Sequence, residues 1–180
     1  LETERLLIRN FRNDDADALA EIIRRYAASD LAAYDQQWPT STEEIRQITA
    51  WFAGGDSYLA VCLKATECLI GFVALNPEAE ADQRTFNLGY VFHFDYHGKG
   101  YASEACRAVL AYAFEQCRAD RVVTGTAAAN QASCRLLERL GFQKIAESTA
   151  SFRNMPDGTP IQFLGYAFEL SREAWGSSRR

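Results

Sequence analysis

The feature that most constrains the fold is a change of hydrophobic period in the middle of the chain. Residues 58–64, 68–75 and 84–92 are short runs rich in aromatic and β-branched side chains, separated by polar segments. The run that follows has helical spacing of its apolar residues, at Cys106, Val109, Leu110, Ala113, Phe114 and Cys117. This pattern predicts three consecutive antiparallel strands that lead into a helix, with a surface hairpin loop at Pro77–Gln83.

The flanking segments extend this pattern in both directions. Asn13-Asp14-Asp15 and Thr40-Ser41-Thr42 are helix-capping signals ahead of apolar-periodic segments, and the second helix should stop at Gly54-Gly55. The whole chain then reads β-α-α-β-β-β-α-β-α-β-β. We expect an α+β (αβα layered) domain over residues 1–170, with a mixed, mostly antiparallel sheet of about seven strands and four flanking helices. Residues 171–180 are expected to be a frayed C-terminal tail.

Bulk properties exclude several classes of protein. A chain of 180 residues suits one domain, and a net charge of −5 with scattered basic residues gives no nucleic-acid footprint. The longest strongly apolar run, 69–75, is too short to cross a membrane. Five cysteines without zinc or redox spacing indicate no metal site and a reducing, cytoplasmic location. No signal peptide is visible, and the start at Leu1 is expected to reflect trimming.

Gly98-Lys99-Gly100 lies between the third predicted strand and a helix, where it predicts an anion site. Backbone N–H groups at a helix N-terminus are unsatisfied and lie at the positive end of the dipole, and glycines allow a phosphate to approach closely. A P-loop is excluded because Gly100, not Ser or Thr, follows Lys99. A dinucleotide fingerprint is excluded because the preceding strands are hairpins. A purely structural turn remains the alternative.

Motifs along almost the whole chain resemble the GNAT superfamily of N-acetyltransferases. The residues that carry the resemblance are Gly89-Tyr90-Val91-Phe92, His97-Gly98-Lys99-Gly100-Tyr101-Ala102-Ser103-Glu104-Ala105, Asn130-Gln131-Ala132-Ser133 and Leu137-Glu138-Arg139-Leu140-Gly141-Phe142. The opening Glu2–Arg9 resembles the branch that contains the ribosomal-protein N-terminal alanine and serine acetyltransferases. This resemblance implies acetyl transfer from acetyl-CoA to a primary amine, without a metal.

The resemblance also implies roles for individual residues. The diphosphate of acetyl-CoA would lie on the amides of His97, Gly98, Lys99, Gly100, Tyr101 and Ala102, although the superfamily has Gln or Arg at the position of His97. The pantetheine arm would pair with Val91 and Phe92, and an amide near Val91 would polarise the thioester carbonyl. Asn130 would bind the pantetheine arm, with helix capping as the alternative. Ser133 would be the catalytic residue that hydrogen-bonds the sulfur.

The acceptor side of the site is less defined by the sequence. Tyr34 and Trp38 are expected to bind substrate, with core packing as the alternative, and Trp51 is a further candidate. No general base is evident, because Phe86-Asn87-Leu88 stands where relatives often have a Glu. Asp35, His93 and Glu147 remain candidates for the base, alongside a water relay.

Several functions remain open. An enzyme without a strong base is suited to an amine with a lower pKa than lysine, so the acceptor would be the N-terminus of a ribosomal or other protein or peptide, or a low-pKa small-molecule amine. An antibiotic or polyamine acetyltransferase and a catalytically silent acyl-CoA-binding module are the alternatives. A homodimer is compatible with the exposed final strands of this fold.

Overall fold

A seven-stranded sheet forms the centre of the molecule. The computed structural model describes residues 1–79 and 84–177, so the end of the expected Pro77–Gln83 loop lies outside the described residues. The strands are β1 (Leu6–Asn10), β2 (Tyr58–Leu63), β3 (Leu69–Pro77), β4 (Thr85–Phe92), β5 (Arg121–Ala127), β6 (Gln143–Ala150) and β7 (Phe163–Ser171). The helices are α1 (Ala16–Ala27), α2 (Thr42–Ala53), α3 (Tyr101–Glu115), α4 (Gln131–Leu140) and α5 (Arg172–Ser177).

The sheet topology is mixed, as expected. The strand order is β1-β2-β3-β4-β5-β7-β6. Every neighbouring pair is antiparallel except β4 and β5, which are parallel. The three consecutive antiparallel strands predicted from the change of period are therefore confirmed as β2, β3 and β4.

Each face of the sheet carries its own hydrophobic core, which produces the layered architecture. Leu19 and Ile23 of α1 pack with Phe52 of α2 and Phe72 of β3 on one face. The other face packs against α3 and α4, with Val109, Leu110 and Leu137 among its buried residues. Alternation along each strand supplies side chains to both faces, because successive residues of a strand point in opposite directions.

The two predicted helix starts behave differently. Ser41 caps α2 as expected: its hydroxyl accepts a hydrogen bond from the Glu44 N–H at 3.3 Å. Residues 13–15 instead form a 3₁₀ turn, and the Asp15 carboxylate accepts 2.7 Å hydrogen bonds from both terminal nitrogens of Arg9. Asp15 therefore makes no side-chain cap for α1, because a bidentate guanidinium on the adjacent strand binds its oxygens.

The expectation of a frayed tail after Leu170 is wrong for the residues that the structure describes. Residues 172–177 form α5, and Trp175 is buried with its ring stacked on Phe114 at a centroid separation of 5.5 Å. Arg172 donates hydrogen bonds to the carbonyls of Phe114 and Ala119. A large aromatic ring and a guanidinium thus bind this segment to the end of α3. Among the described helices, none is long and apolar enough to cross a membrane.

Candidate active site

The parallel strands β4 and β5 separate in the middle of the sheet. They pair only where Thr85–Asn87 lie opposite Arg121–Val123. Beyond that point β4 stays with β3 and β5 stays with β7. The Thr124 hydroxyl donates to the Leu88 carbonyl at 2.7 Å where the strands diverge. The divergence opens a cavity of about 780 Å³, lined by both strands and by residues from the first two helices and the β6–β7 hairpin.

The register of β3 and β4 decides which backbone groups face this gap. His93 N–H donates to Ile70 carbonyl and Glu78 N–H donates to Thr85 carbonyl, both at 2.9 Å, at the two ends of an uninterrupted ladder. Hydrogen-bonding direction alternates along a strand, so the Val91 N–H points to β3. The N–H groups of Tyr90 and Phe92 point toward the gap. The amides near Val91 that are available to the gap are therefore those of its two neighbours, Tyr90 and Phe92.

The loop after β4 presents unsatisfied backbone donors. No acceptor for the N–H groups of residues 98–103 is found within residues 1–79 and 84–177, and the next amide, that of Glu104, donates to the Gly100 carbonyl at 3.0 Å. Gly98 and Gly100 have φ of 74° and 82°, which non-glycine residues rarely adopt. The loop therefore directs several N–H groups outward at the positive end of the 15-residue helix α3.

His97 does not belong to this set of donors, contrary to expectation. Its N–H donates to the Phe94 carbonyl at 3.0 Å. Its ring Nε2 lies 2.9 Å from the Phe92 carbonyl oxygen. Both groups bind carbonyl oxygens of the turn after β4, so His97 stabilises this turn. The N–H groups without an acceptor in the described part of the chain begin at Gly98.

Side chains around the loop hold it in place. The Lys99 ammonium lies 5.4 Å from the centroid of the Tyr96 ring, and the Lys99 carbonyl accepts a 3.0 Å hydrogen bond from Arg5. The Arg5 guanidinium carbon also lies 4.4 Å from the centroid of the Tyr101 ring, in a cation–π contact. Ala102 packs against the core on the α3 side of the sheet. These contacts hold the loop against α3, the core and the segment before β1.

Ser133 and Tyr90 meet at the wall of the cavity. Their hydroxyl oxygens lie 2.6 Å apart, and Ser133 is buried. Burial raises the pKa of Tyr90, so its phenol stays protonated at neutral pH. Asn130 caps α4, since its side-chain oxygen accepts a 3.1 Å hydrogen bond from the Ser133 N–H. The capping alternative for Asn130 is therefore present in the structure, and all three residues line the cavity.

Sequence reasoning had identified Ser133 and Asn130 but not Tyr90 as a site residue. The available signal was the alternation of β4, which places Tyr90 on the same face as Leu88 and Phe92. That face packs against α3 and α4. The contact with Ser133 depends on the position of α4, which no local pattern predicts.

Aromatic side chains line one end of the cavity. Tyr34 and Trp38 both line it, as expected for substrate contacts, and so does the 63% exposed Trp51. The ring centroids of Tyr34 and Phe163 are 5.4 Å apart, and those of Trp38 and Phe72 are 5.7 Å apart. The two expected substrate residues are thus both wall residues and packing residues.

One carboxylate lies among these rings. Asp35 accepts hydrogen bonds from the Tyr26 hydroxyl at 3.0 Å and from the Gln36 N–H at 2.7 Å. Burial and the negative charge of Asp35 raise the pKa of Tyr26. In the described part of the chain, Asp35 is the only charged side chain that lines the cavity. This end of the cavity therefore combines aromatic rings with one carboxylate.

Of the three candidate bases, the geometry retains one. His93 is buried away from the cavity lining, and its ring nitrogens lie 3.9 Å from Glu21 and 3.8 Å from Asp95. Glu147 is exposed and pairs with Lys144 at 3.1 Å, while its neighbours Ala146 and Ser148 line the cavity. Only Asp35 faces the cavity, together with the uncharged Asn87.

Comparison with known proteins agrees with this architecture. The family model described as the acetyltransferase (GNAT) domain matches residues 5–143, so the chain belongs to the GNAT family of acetyltransferases. Its reaction is the transfer of an acetyl group to an amine. The resemblance of the glycine-bearing loop and the α4 motif to this superfamily is thereby confirmed.

Three similar proteins illustrate the relationship. The uncharacterized N-acetyltransferase YnaD of Bacillus subtilis is 28% identical over 145 residues, which are 80% of this chain and 82% of YnaD. A GNAT-family acetyltransferase from Bacillus anthracis superimposes with a TM-score of 0.80 and 26% identity over 96% of this chain and 98% of that chain. The ribosomal-protein-S5-alanine acetyltransferase from Vibrio fischeri has a TM-score of 0.79 at 19% identity and covers 97% of each chain, which shows a shared fold.

Proposed function

We propose that this protein is an acetyl-CoA-dependent N-acetyltransferase that acts on a primary amine without a second positive charge close to it, such as the α-amino group of a protein or peptide. The observation that carries the proposal is the set of unsatisfied N–H groups of residues 98–103 next to the gap between β4 and β5. A diphosphate would be bound by these N–H groups, and a narrow arm that contains amides would fit in the gap between the strands. The family membership supports the same co-substrate.

The loop matches a diphosphate in both charge and space. Backbone N–H groups at a helix N-terminus stabilise negative charge through hydrogen bonds and the helix dipole. A Cβ built on Gly98 would meet no atom within 4 Å, so a ligand can approach this backbone closely. Gly98, Lys99, Gly100, Tyr101 and Ala102 are therefore the proposed diphosphate-binding residues, through their main chains.

The divergent strands match the pantetheine arm. Where β4 has left β5, the N–H groups of Tyr90 and Phe92 face the gap without a neighbouring strand. In this proposal they bind the carbonyl groups of the arm and of the acetyl group, and they stabilise the oxygen that gains negative charge during attack. Ser133, at the wall of the same cavity, donates a hydrogen bond to the sulfur. Asn130 contributes by holding the Ser133 amide at the start of α4.

The aromatic end of the cavity, where the acceptor would bind, favours one ammonium group over several. A polyamine carries at least two positive charges, and each would need a counter-charge when it is taken from water. Among the described residues, Asp35 is the only carboxylate on the lining. A protein N-terminus or a small monoamine places one ammonium near Asp35 and its apolar body on Tyr34 and Trp38. The cavity therefore suits a protein N-terminus or a monoamine better than a polyamine.

The described part of the lining contains no His, Glu or Lys, and this also favours an amine that is easy to deprotonate. Deprotonating lysine at neutral pH costs roughly 3 kcal/mol more than deprotonating an α-amino group. Asp35 or a water molecule that it orients can accept the proton of the easier amine. The branch resemblance of Glu2–Arg9 to ribosomal-protein N-terminal acetyltransferases supports such an acceptor.

The proposal is tested by release of free thiol from acetyl-CoA with a panel of peptides, monoamines, polyamines and lysine side-chain substrates. We expect turnover with α-amines and monoamines, and at least tenfold lower kcat/KM with polyamines. Turnover restricted to polyamines would overturn the acceptor assignment. Binding of acetyl-CoA without turnover on any amine would identify the silent-module alternative.

Binding is tested separately by calorimetry on two matched variants. Gly98→Asn and Gly98→Asp have the same shape and tolerate positive φ similarly, but only Asp adds a negative charge. We expect Gly98→Asp to bind acetyl-CoA at least tenfold more weakly than Gly98→Asn, because its carboxylate would lie beside the diphosphate. Equal affinity of the two folded variants would remove the loop from the binding site.

Location and assembly are part of the proposal. All five cysteines are free in the structure, which supports a reducing, cytoplasmic compartment. Strand β6 is at the edge of the sheet, where it pairs with β7 alone and its residues are exposed. Such an edge is able to pair with a second copy, so a homodimer is proposed and is tested by light scattering.

A further inference from the structure

We propose that Tyr90 is a positioning residue that orients the Ser133 hydroxyl toward the sulfur of the coenzyme. The inference rests on the proposed function, because it requires that Ser133 hydrogen-bond the leaving sulfur. It goes beyond that function by assigning a role to a β4 side chain on which acetyl transfer would depend.

The geometry of the pair is that of a short hydrogen bond. The two hydroxyl oxygens are 2.6 Å apart, near the lower end of the usual range for O–H···O contacts. A serine hydroxyl has one proton that rotates freely about the Cβ–Oγ bond. If Tyr90 accepts that proton, Ser133 has none to offer a ligand. If Tyr90 donates, the Ser133 proton is free to point into the cavity.

The surroundings favour Tyr90 as the donor once a sulfur is present. The Ser133 backbone N–H is already bound to Asn130, so the backbone that carries the hydroxyl is held at the start of α4. Burial raises the pKa of Tyr90, so the phenol keeps its proton and has it available to donate. A sulfur that gains negative charge is a strong acceptor, and the Ser133 proton turns to it.

The chemical step is balanced without a proton from Tyr90. The amine nitrogen forms the new C–N bond, the C–S bond breaks, and its electron pair goes to sulfur. The amine loses one proton to Asp35 or water, and water protonates the thiolate after release. Ser133 stabilises the developing charge by its hydrogen bond, and Tyr90 keeps Ser133 in the donating orientation throughout.

The kinetic test is a double-mutant cycle with Tyr90→Phe and Ser133→Ala. We expect Tyr90→Phe to lower kcat about tenfold with little change in the KM for acetyl-CoA, because one well-placed hydrogen bond is lost. In the Ser133→Ala background, Tyr90→Phe should have no further effect, since it acts through Ser133. Tyr112→Phe, on the exposed side of α3, is the control and should retain full activity.

A binding test does not depend on the identity of the acceptor. Calorimetry of coenzyme A and of desulfo-coenzyme A isolates the contribution of the sulfur. We expect Tyr90→Phe and Ser133→Ala to reduce the preference for coenzyme A by similar factors, while the affinity for the desulfo form stays unchanged.

Several outcomes would contradict the inference. If Ser133→Ala lowers kcat and Tyr90→Phe does not, the role of Tyr90 is wrong and the proposed function stands. If the two effects multiply in the double variant, Tyr90 does not act through Ser133. Failure of the unmodified protein to bind coenzyme A would instead overturn the proposed function itself and this inference with it.

Discussion

The Arg5 guanidinium lies 2.6 Å from the Glu104 carboxylate and joins the segment before β1 to the first turn of α3. The same guanidinium donates to the Lys99 carbonyl at 3.0 Å, and the Thr3 hydroxyl donates to Glu104 at 2.5 Å. Burial opposes ionisation of Glu104, but the hydrogen bonds from Thr3 and Arg5 outweigh it and lower its pKa. A negative charge is thus held beside the proposed diphosphate site and balanced by Arg5.

Replacing Arg5 should weaken acetyl-CoA binding by leaving that charge uncompensated. We expect Arg5→Gln to raise the Kd about fivefold, the effect of roughly 1 kcal/mol for a partly exposed charge near a helix N-terminus. Adding Glu104→Gln should restore part of the affinity, because the repulsive carboxylate is gone. Calorimetry on the single and double variants measures both effects. An unchanged Kd in Arg5→Gln would show that the pair only connects the two segments.

Asp35 should control acceptor recognition. Asp35→Asn keeps the shape of the side chain and removes its charge, so we expect the KM for an amine acceptor to rise about tenfold while acetyl-CoA affinity stays constant. Steady-state kinetics with the best peptide or monoamine of the panel measures this change. Asp30→Asn is the matched control, because Asp30 is exposed on the same loop and does not line the cavity. Equal effects of the two variants would indicate general attraction by loop charge.

The Arg9–Asp15 pair should stabilise the fold in a pH-dependent way. Burial favours the neutral acid, but hydrogen bonds from Arg9 and Arg12 outweigh it and lower the pKa of Asp15. We expect Asp15→Asn to reduce the free energy of unfolding by about 2 kcal/mol at pH 7, since Arg9 loses its partner in a largely buried site. Asp14→Asn, at an exposed neighbouring position, should change it by less than about 0.5 kcal/mol.

The pH dependence of this effect follows from the direction of the shift. A lowered folded-state pKa stabilises the protein above the unfolded-state value, near 3.8 for Asp. That contribution is lost as pH falls through the lower, folded-state pKa. Urea unfolding at pH 7 and at progressively lower pH should therefore show the difference between Asp15→Asn and the unmodified protein shrinking below about pH 4. A difference that stays constant with pH would contradict the ion-pair explanation.

The C-terminal helix should contribute measurably to stability. Trp175→Ala removes a buried ring that stacks on Phe114, and we expect a loss of about 3 kcal/mol in the free energy of unfolding. Glu173→Ala, on the exposed side of α5, should cost less than about 1 kcal/mol. Denaturant unfolding of the two variants measures the comparison. Equally small losses of unfolding free energy in both variants would show that α5 contributes little to stability.

Local patterns in the sequence were sufficient for most strands and helices and for the position of the glycine-bearing loop. The period of residues 58–92 predicted the hairpin strands, and Ser41 with Glu44 predicted the start of α2, because these signals act over a few residues. The same approach was wrong for Asp15 and for the segment after Ser171. In both cases a distant partner, Arg9 or Phe114, determines the conformation, and its position depends on packing.

The sequence by itself determined the order of strands and helices, the glycines that allow positive φ, and the family motif around residues 97–105. Only the tertiary structure decided where β4 leaves β5, which amides of β4 face the opening, and that Tyr90 meets Ser133. Strand register and interhelical position depend on hydrophobic contacts between residues far apart in the chain, and no local spacing encodes them. The isolated charge of Asp35 among aromatic rings is likewise visible only when segments far apart in the sequence have assembled around one cavity.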